Sequence, residues 1–343
     1  MAPLIELRGL SVELPTPSGW IRPVNDVSLA LEPGESYGLV GESGCGKSML
    51  SLSLMGLLPP GARTRGEAWL APRDNSGARV NLLALGEREL TALRGRDIAM
   101  VFQEPMTALN PVMRIGAQIA EAVRAHNPPL GSSEVAKLTR QALERAAVPE
   151  PELRARQFPH QLSGGLRQRA LIAMALAGGN PAPRLLIADE PTTALDVTVQ
   201  EQILELLARL RRELGLALFF ITHDLGVVAQ VADRIAVMYA GRVVEEGPAR
   251  EVLARPRHPY TAGLLRASPQ IVRHKLEPIP GSVPQLTAMP PGCAFEPRCA
   301  LRRPDCADAM PDLRAAGPSH FARCVLVELQ PRRPRDDDRF QSL

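Results

Sequence analysis

At 343 residues the chain is long enough to bury a full α/β core and still supply one or two accessory pieces. Charged residues make up 22% and the net charge is +3, which excludes a polybasic nucleic-acid arm and an acidic disordered chain. Lysine occurs only at Lys47, Lys137 and Lys275 in an otherwise arginine-based positive set, so a lysine inside a glycine-rich run stands out.

The opening MAPLIELRGL has no basic region ahead of an apolar stretch and no small-residue cleavage site. No uninterrupted apolar run approaches the ~20 residues of a spanning helix. The expectation is a soluble, cytosolic protein, and any work at a membrane falls to partner chains that span it. Residues 4–14 and 24–31 mix alternation with β-branched side chains and read as antiparallel strands around the turn-rich PTPSGW. Residues 36–40 form a short buried strand that enters GESGCGKS, and residues 47–58 read as a helix.

Strand, glycine loop and helix form the context that the phosphate-binding pattern GxxxxGK[ST] requires. The loop comprises Gly41, Glu42, Ser43, Gly44, Cys45, Gly46, Lys47 and Ser48. Its glycines let successive N–H groups point inward as an anion nest at a helix N-terminus. Lys47 is suited to the β- and γ-phosphates, and Ser48 to Mg²⁺. Cys45 occupies a free position of the pattern and reads as a small filler.

Residues 59–85 read as loop or irregular sheet, and residues 97–102 as a strand. Residues 112–156 have helical periodicity broken at Pro128, Pro129 and Pro149, the mark of a small helical subdomain set into an α/β core. The apolar runs 185–188 and 216–222 suit a sheet covered on both faces. The first delivers Asp189 and Glu190 to a strand's carboxyl end, where open α/β sheets bind ligands. Asp189 there suits Mg²⁺, held through water, and Glu190 suits orientation of an attacking water.

Beyond residue 255 prolines become frequent and four cysteines appear, Cys293, Cys299, Cys306 and Cys324, spaced C-x5-C-x6-C-x17-C. Disulfides are disfavoured in a reducing cytosol, so this set suggests metal ligation. Ligand count and spacing favour a [4Fe–4S] cluster over Zn²⁺, with unligated thiols as the third reading. The charged ending RRPRDDDRF reads as a disordered tail over residues 331–343.

Between the glycine loop and the Asp189–Glu190 pair stands LSGGLRQR, and here the chain resembles the ABC-type ATPases. FQEPMTALNPVMRIGAQIAEA, HQLSGGLRQRALIAMALA, LLIADEPTTALDVTVQEQILELL and the tail segments IPGSVP and PPGCAFEPRCALRRPDC are similar to oligopeptide and dipeptide importer ATPases, nearest the D-type subunit. The resemblance runs from about residue 4 to 324. Leu166, the long GGNPAPR and the apparent insertion at 71–80 depart from the pattern without removing a catalytic residue.

The resemblance implies a P-loop ABC ATPase core over residues 1–255, an α/β fold with an antiparallel β subdomain and a helical subdomain at about 104–170. A Cys-containing extension follows over 256–330. It identifies Gln103 with the Q-loop that senses Mg²⁺ and the attacking water, His223 with the switch histidine, and Asp196 with the D-loop. Ser163, Gly164 and Gly165 become a second cradle at a helix N-terminus, facing the ATP of a partner subunit. Trp20 is the candidate for stacking on adenine.

The implied protein hydrolyses ATP with Mg²⁺ in a head-to-tail pair with a paralogous ATPase. Two transmembrane permease subunits and an extracytoplasmic substrate-binding protein complete the importer, with this chain peripheral on the cytoplasmic face of the inner membrane and no nucleic acid involved. The imported solute is a peptide in the leading reading, with nickel or glutathione as alternatives. Two rivals stand beside it, a soluble ABC ATPase acting on nucleic acid or ribosomes and a nucleotide-gated regulator.

Overall fold

The computed structural model describes residues 2–73, 77–127, 129–178, 182–268 and 277–329. The tail 331–343, read from sequence as disordered, lies outside the described residues. In chain order the strands are β1 (Ile5–Thr16), β2 (Gly19–Leu31), β3 (Ser36–Val40), β4 (Arg63–Leu70), β5 (Val80–Asn81) and β6 (Ile98–Val101). They continue with β7 (Leu185–Asp189), β8 (Ala217–Thr222), β9 (Arg234–Tyr239), β10 (Arg242–Pro248), β11 (Arg314–Gly317) and β12 (His320–Ala322).

The larger sheet has the order β11-β12-β10-β9-β3-β8-β7-β6. Strands β9, β3, β8, β7 and β6 pair in parallel. Every residue of β3, β7 and β8 is buried, which is why these segments read as unbroken apolar runs. Their alternation survives within the core. Leu185 and Ile187 join the cluster under the antiparallel sheet, whereas Leu186 and Ala188 join the cluster on the helical side.

The antiparallel sheet β2-β1-β4-β5 covers one face. Its third strand, β4, falls in the stretch read as loop or irregular sheet. Only Ala68 and Leu70 of β4 are buried, so its sequence lacks an apolar signature and its strand state comes from pairing with β1. The helix after the phosphate loop, Lys47–Met55, is shorter than its periodicity suggests because Gly56 adopts φ 62° at its C-terminus.

Helices Ile115–His126, Ser132–Arg145 and Pro151–Arg156 pack together and against Gly164–Ala177. The chain after residue 255 returns to the main sheet. β12 pairs with β10 through Glu245 opposite Ala322, and Arg323 N–H donates to the Val244 carbonyl at 2.8 Å. Buried Glu245 accepts from the amides of Arg257 and His258 at 2.6 and 2.9 Å and lies 2.7 Å from His320 Nε2, which ties the extension to the core. No described helix is long and apolar enough to cross a membrane.

Candidate active site

Neighbouring parallel strands deliver their C-terminal ends to one edge of the sheet in the order β3, β8, β7, β6. The residues that follow them are the glycine loop, His223, Glu190 and Gln103 in that same order. Motifs dispersed in sequence from Gly41 to His223 therefore form a single row, at the side where parallel α/β sheets bind ligands.

The loop is built for close approach. Gly46 has φ 106°, and a Cβ there would overlap the Pro23 carbonyl oxygen. A Cβ on Gly41 would overlap the Met238 carbonyl oxygen. Cys45 is buried, and burial raises its thiol pKa, in keeping with a packing role. Lys47 is buried and donates Nζ to the carbonyls of Gly41 and Glu42 at 2.8 and 3.2 Å, curling over its own loop. Ser43 and Gly44 are exposed at its rim, and Ser48 is half-buried.

Asp189 ends β7 as a buried carboxylate. Burial raises its pKa, while the Ser48 hydroxyl and the Lys47 ammonium pull it back and the Glu190 charge pushes it further up. Its Oδ1 is buried without a hydrogen-bond partner. An orphaned carboxylate oxygen beside a serine hydroxyl and the phosphate loop fits Mg²⁺, which takes one or two carboxylates and completes its shell with phosphate oxygens and water.

Glu190 adopts φ 47°, a left-handed conformation that costs a non-glycine residue roughly 1–2 kcal/mol. Its amide donates to the Ile221 carbonyl at 2.9 Å, which holds that turn in place. Oε2 accepts from Gln103 Nε2 at 3.1 Å and Thr193 Oγ1 at 2.9 Å, and lies 3.3 Å from His223 Nδ1. Lys47 Nζ stands 4.0 Å from Oε1. The His223 hydrogen bond lowers the Glu190 pKa first, burial opposes it, and Thr193 adds to the lowering. The same bond raises His223.

Ser163, Gly164 and Gly165 form a second helix start. Ser163 caps Gly164–Ala177 by accepting from the Leu166 amide at 3.4 Å, and both Ser163 and Gly164 are exposed. Asp196 caps the next long helix, Val197–Leu214, through the Val199 amide at 2.9 Å. Gly165 permits these two helix starts to touch, since a Cβ there would lie 2.6 Å from Val199 Cγ1. Trp20 sits on β2 with the Arg63 guanidinium 4.1 Å above its ring.

The ABC transporter family profile matches residues 24–193, and the profile for the oligopeptide/dipeptide transporter C-terminal region matches residues 244–306. A Brucella ovis protein named for peptide import ATP binding is 48% identical over 94% of this chain and 97% of its own length. The oligopeptide transport ATP-binding protein OppD of Salmonella typhimurium is 46% identical over 94% of this chain and 93% of its own. The chain belongs to the ABC transporter ATPases of the oligopeptide/dipeptide family. Among solved structures, the ATP-binding cassette MJ0796 in a dimeric, post-hydrolysis state with ADP and Pi aligns with a TM-score of 0.62 at 30% identity, covering 72% of this chain and 99% of its own. The cassette cbiO1 from Clostridium perfringens, part of the cbiONQ transporter complex, aligns with a TM-score of 0.59 at 28% identity, covering 74% and 92%.

As an ABC ATPase the protein uses ATP and Mg²⁺, but the expectation of metal at the four C-terminal cysteines is corrected. Among the described residues no group of three or more His, Cys, Asp or Glu side chains is arranged to hold a metal ion. Neither the [4Fe–4S] cluster nor the Zn²⁺ alternative stands. Cys293, Cys299, Cys306 and Cys324 are free thiols bordering one small pocket beside Phe295 and Leu301. Burial raises the thiol pKa of Cys293 and Cys299 and pushes Cys324 up to about 11. Protonated thiols in apolar surroundings pack as small hydrophobes. Spacing in sequence could not separate that outcome from ligation, because it carries neither the direction nor the solvation of each sulfur.

Sequence reasoning missed Thr193, Tyr260 and Arg298. Thr193 was visible only as part of TTALD, and its hydroxyl reaches Glu190 because the intervening turn folds back. Tyr260 and Arg298 reach the phosphate loop from the extension, more than 200 residues downstream.

Proposed function

We propose that this chain is the D-type ATPase subunit of a peptide importer, pairing head to tail with a paralogous ATPase at the cytoplasmic face of the inner membrane. The observation that carries the reading is the row of glycine loop, His223, Glu190 and Gln103 along one sheet edge, together with an exposed Ser163–Gly164 helix start. A chain that already holds its own ATP on the glycine loop has use for a second phosphate cradle only if a neighbour supplies the nucleotide. Two permease subunits and an extracytoplasmic binding protein supply the path and the selectivity, in line with peptide import in the name of the Brucella ovis relative and oligopeptide transport in that of the Salmonella typhimurium one.

In this reading residues 1–255 are the ATPase domain, with the helical subdomain at about 104–170, and residues 256–330 are the importer-type extension. The amides of the glycine loop and Lys47 bind the β- and γ-phosphates. Ser48 and Asp189 hold Mg²⁺, with Gln103 near it; when bound, the ion neutralises charge on the transferring phosphoryl group. Glu190 orients the attacking water and accepts its proton, and His223 holds the γ-phosphate and steadies Glu190. Ser163, Gly164 and Gly165 close on the partner's ATP, and Asp196 lies at the contact between the two.

ATP favours the closed pair because it binds that state more tightly, and hydrolysis releases it. Purification of the chain from its native membrane tests the reading. Recovery with a second ATPase and two integral membrane subunits, and ATP hydrolysis stimulated by peptide-loaded binding protein, are the expected results. Full-rate turnover by the isolated monomer contradicts the pairing.

A further inference from the structure

The second position of the phosphate loop is held from the far end of the chain. Arg298, in the single turn Glu296–Arg298, grips the Glu42 carboxylate with both arms of its guanidinium, Nη1 to Oε2 at 2.7 Å and Nη2 to Oε1 at 3.1 Å, across 256 residues of sequence. Tyr260 Oη accepts the Glu42 amide at 2.9 Å, and the Glu42 carbonyl accepts Lys47 Nζ at 3.2 Å. All three polar groups of Glu42 are therefore engaged, two of them by the extension.

Arg298 is itself seated in a built socket. Its side chain is only 5% exposed, Nε donates to the Pro280 carbonyl at 2.9 Å, and Nη1 reaches Tyr239 Oη at 3.3 Å. Tyr239, Tyr260 and Phe295 form a ring cluster beneath it, with centroids 4.5 to 5.3 Å apart. A bidentate guanidinium–carboxylate pair fixes both distance and angle, which a single-point contact does not. The pair also neutralises a carboxylate next to a site that receives a polyanionic triphosphate, where an unpaired negative charge repels the ligand.

We propose that Arg298 is a positioning residue for ATP. By clamping Glu42 it holds the phosphate loop and Lys47 in their binding shape and cancels the Glu42 charge, so nucleotide affinity depends on the C-terminal extension. The proposal rests on the glycine loop as the ATP site and adds a long-range dependence that the loop motif does not contain.

The test compares ATP hydrolysis by the assembled transporter carrying the wild-type chain, Arg298→Ala, Arg298→Lys, and Arg298→Ala combined with Glu42→Gln. Arg298→Ala is expected to raise the KM for ATP about tenfold, equivalent to about 1.4 kcal/mol, with kcat within about twofold. Adding Glu42→Gln is expected to recover at least about threefold of that KM, because it removes the uncompensated charge. An unchanged KM in Arg298→Ala, or no recovery in the double variant, overturns the proposal. Should Arg298→Ala fail to assemble, Arg298→Lys keeps the charge without the two-armed geometry and is expected to raise KM about threefold, and a wild-type KM there also overturns it. A wild-type transporter that does not hydrolyse ATP would instead reject the underlying reading of the loop.

Discussion

Gln103 donates its side-chain amide to Oε2 of Glu190 at 3.1 Å, joining the ends of two adjacent strands separated by 87 residues of sequence. The same oxygen is met by Thr193 and by His223. The bonds from His223 and Thr193 lower the Glu190 pKa, and with Gln103 they aim the carboxylate into the row. They also define what its replacement removes.

Glu190→Gln retains the shape and the hydrogen bonds to oxygen but loses the proposed base. ATP turnover is expected to fall at least about 100-fold while ATP affinity stays within about threefold, the loss typical of a positioned general base. Phosphate release by the assembled transporter and equilibrium nucleotide binding check this. A variant retaining more than about a tenth of normal turnover would remove Glu190 from the role, and accumulation of a closed pair is the accompanying expectation.

The His223–Glu190 pair sets a pH dependence on the nucleotide-free protein. His223 is raised above its ordinary 6.5, so its contribution is complete below 6.5 and is lost as pH rises through its folded value. Glu190 is lowered below its ordinary 4.5, so its contribution is complete above 4.5 and is lost as pH falls through its folded value. Both are whole between those two ordinary values. The difference in Tm between wild type and His223→Ala is expected to be largest in that interval and to shrink on either side. A difference that grows steadily towards alkaline pH would be the wrong sign.

Gly46→Ala places a methyl group against the Pro23 carbonyl at a residue with φ 106°. Steric overlap with backbone and a left-handed conformation act together, so a loss of about 3 kcal/mol or more, or a loop unable to bind nucleotide, is expected. Chemical denaturation and ATP titration measure it. Retention of both stability and affinity would mean that the loop relaxes without cost.

Ser163→Arg leaves the chain's own glycine loop intact and fills the exposed helix start. ATP binding by the chain alone is expected to stay within about twofold, while turnover in the assembled pair drops at least about 50-fold, the order lost with one transition-state donor set. Loss of the cap alone costs only about 1 kcal/mol. Normal turnover in the assembled pair would contradict the shared site.

The glycine loop, the two acids at the end of β7 and the LSGG run were legible because each is a contiguous pattern of residue type and spacing. The buried strands were legible for a related reason, since a sheet covered on both faces demands unbroken apolar runs. Strand β4 was not, because only Ala68 and Leu70 of it are buried and pairing with β1 and β5 makes it a strand. The cysteines misled because their spacing is compatible with ligation, whereas burial leaves Cys293, Cys299 and Cys324 with raised pKa values and no metal-holding group among the described residues.

Local sequence thus determined which peptide curls into the glycine loop, which run as strands and where the acids fall, since these depend on neighbours a few residues away. Tertiary structure alone decided that Gln103, Thr193 and His223 share one oxygen of Glu190 and that Arg298 closes on Glu42. Contacts of that kind depend on strand order and on how the chain returns to its own sheet, and no window of sequence carries that information.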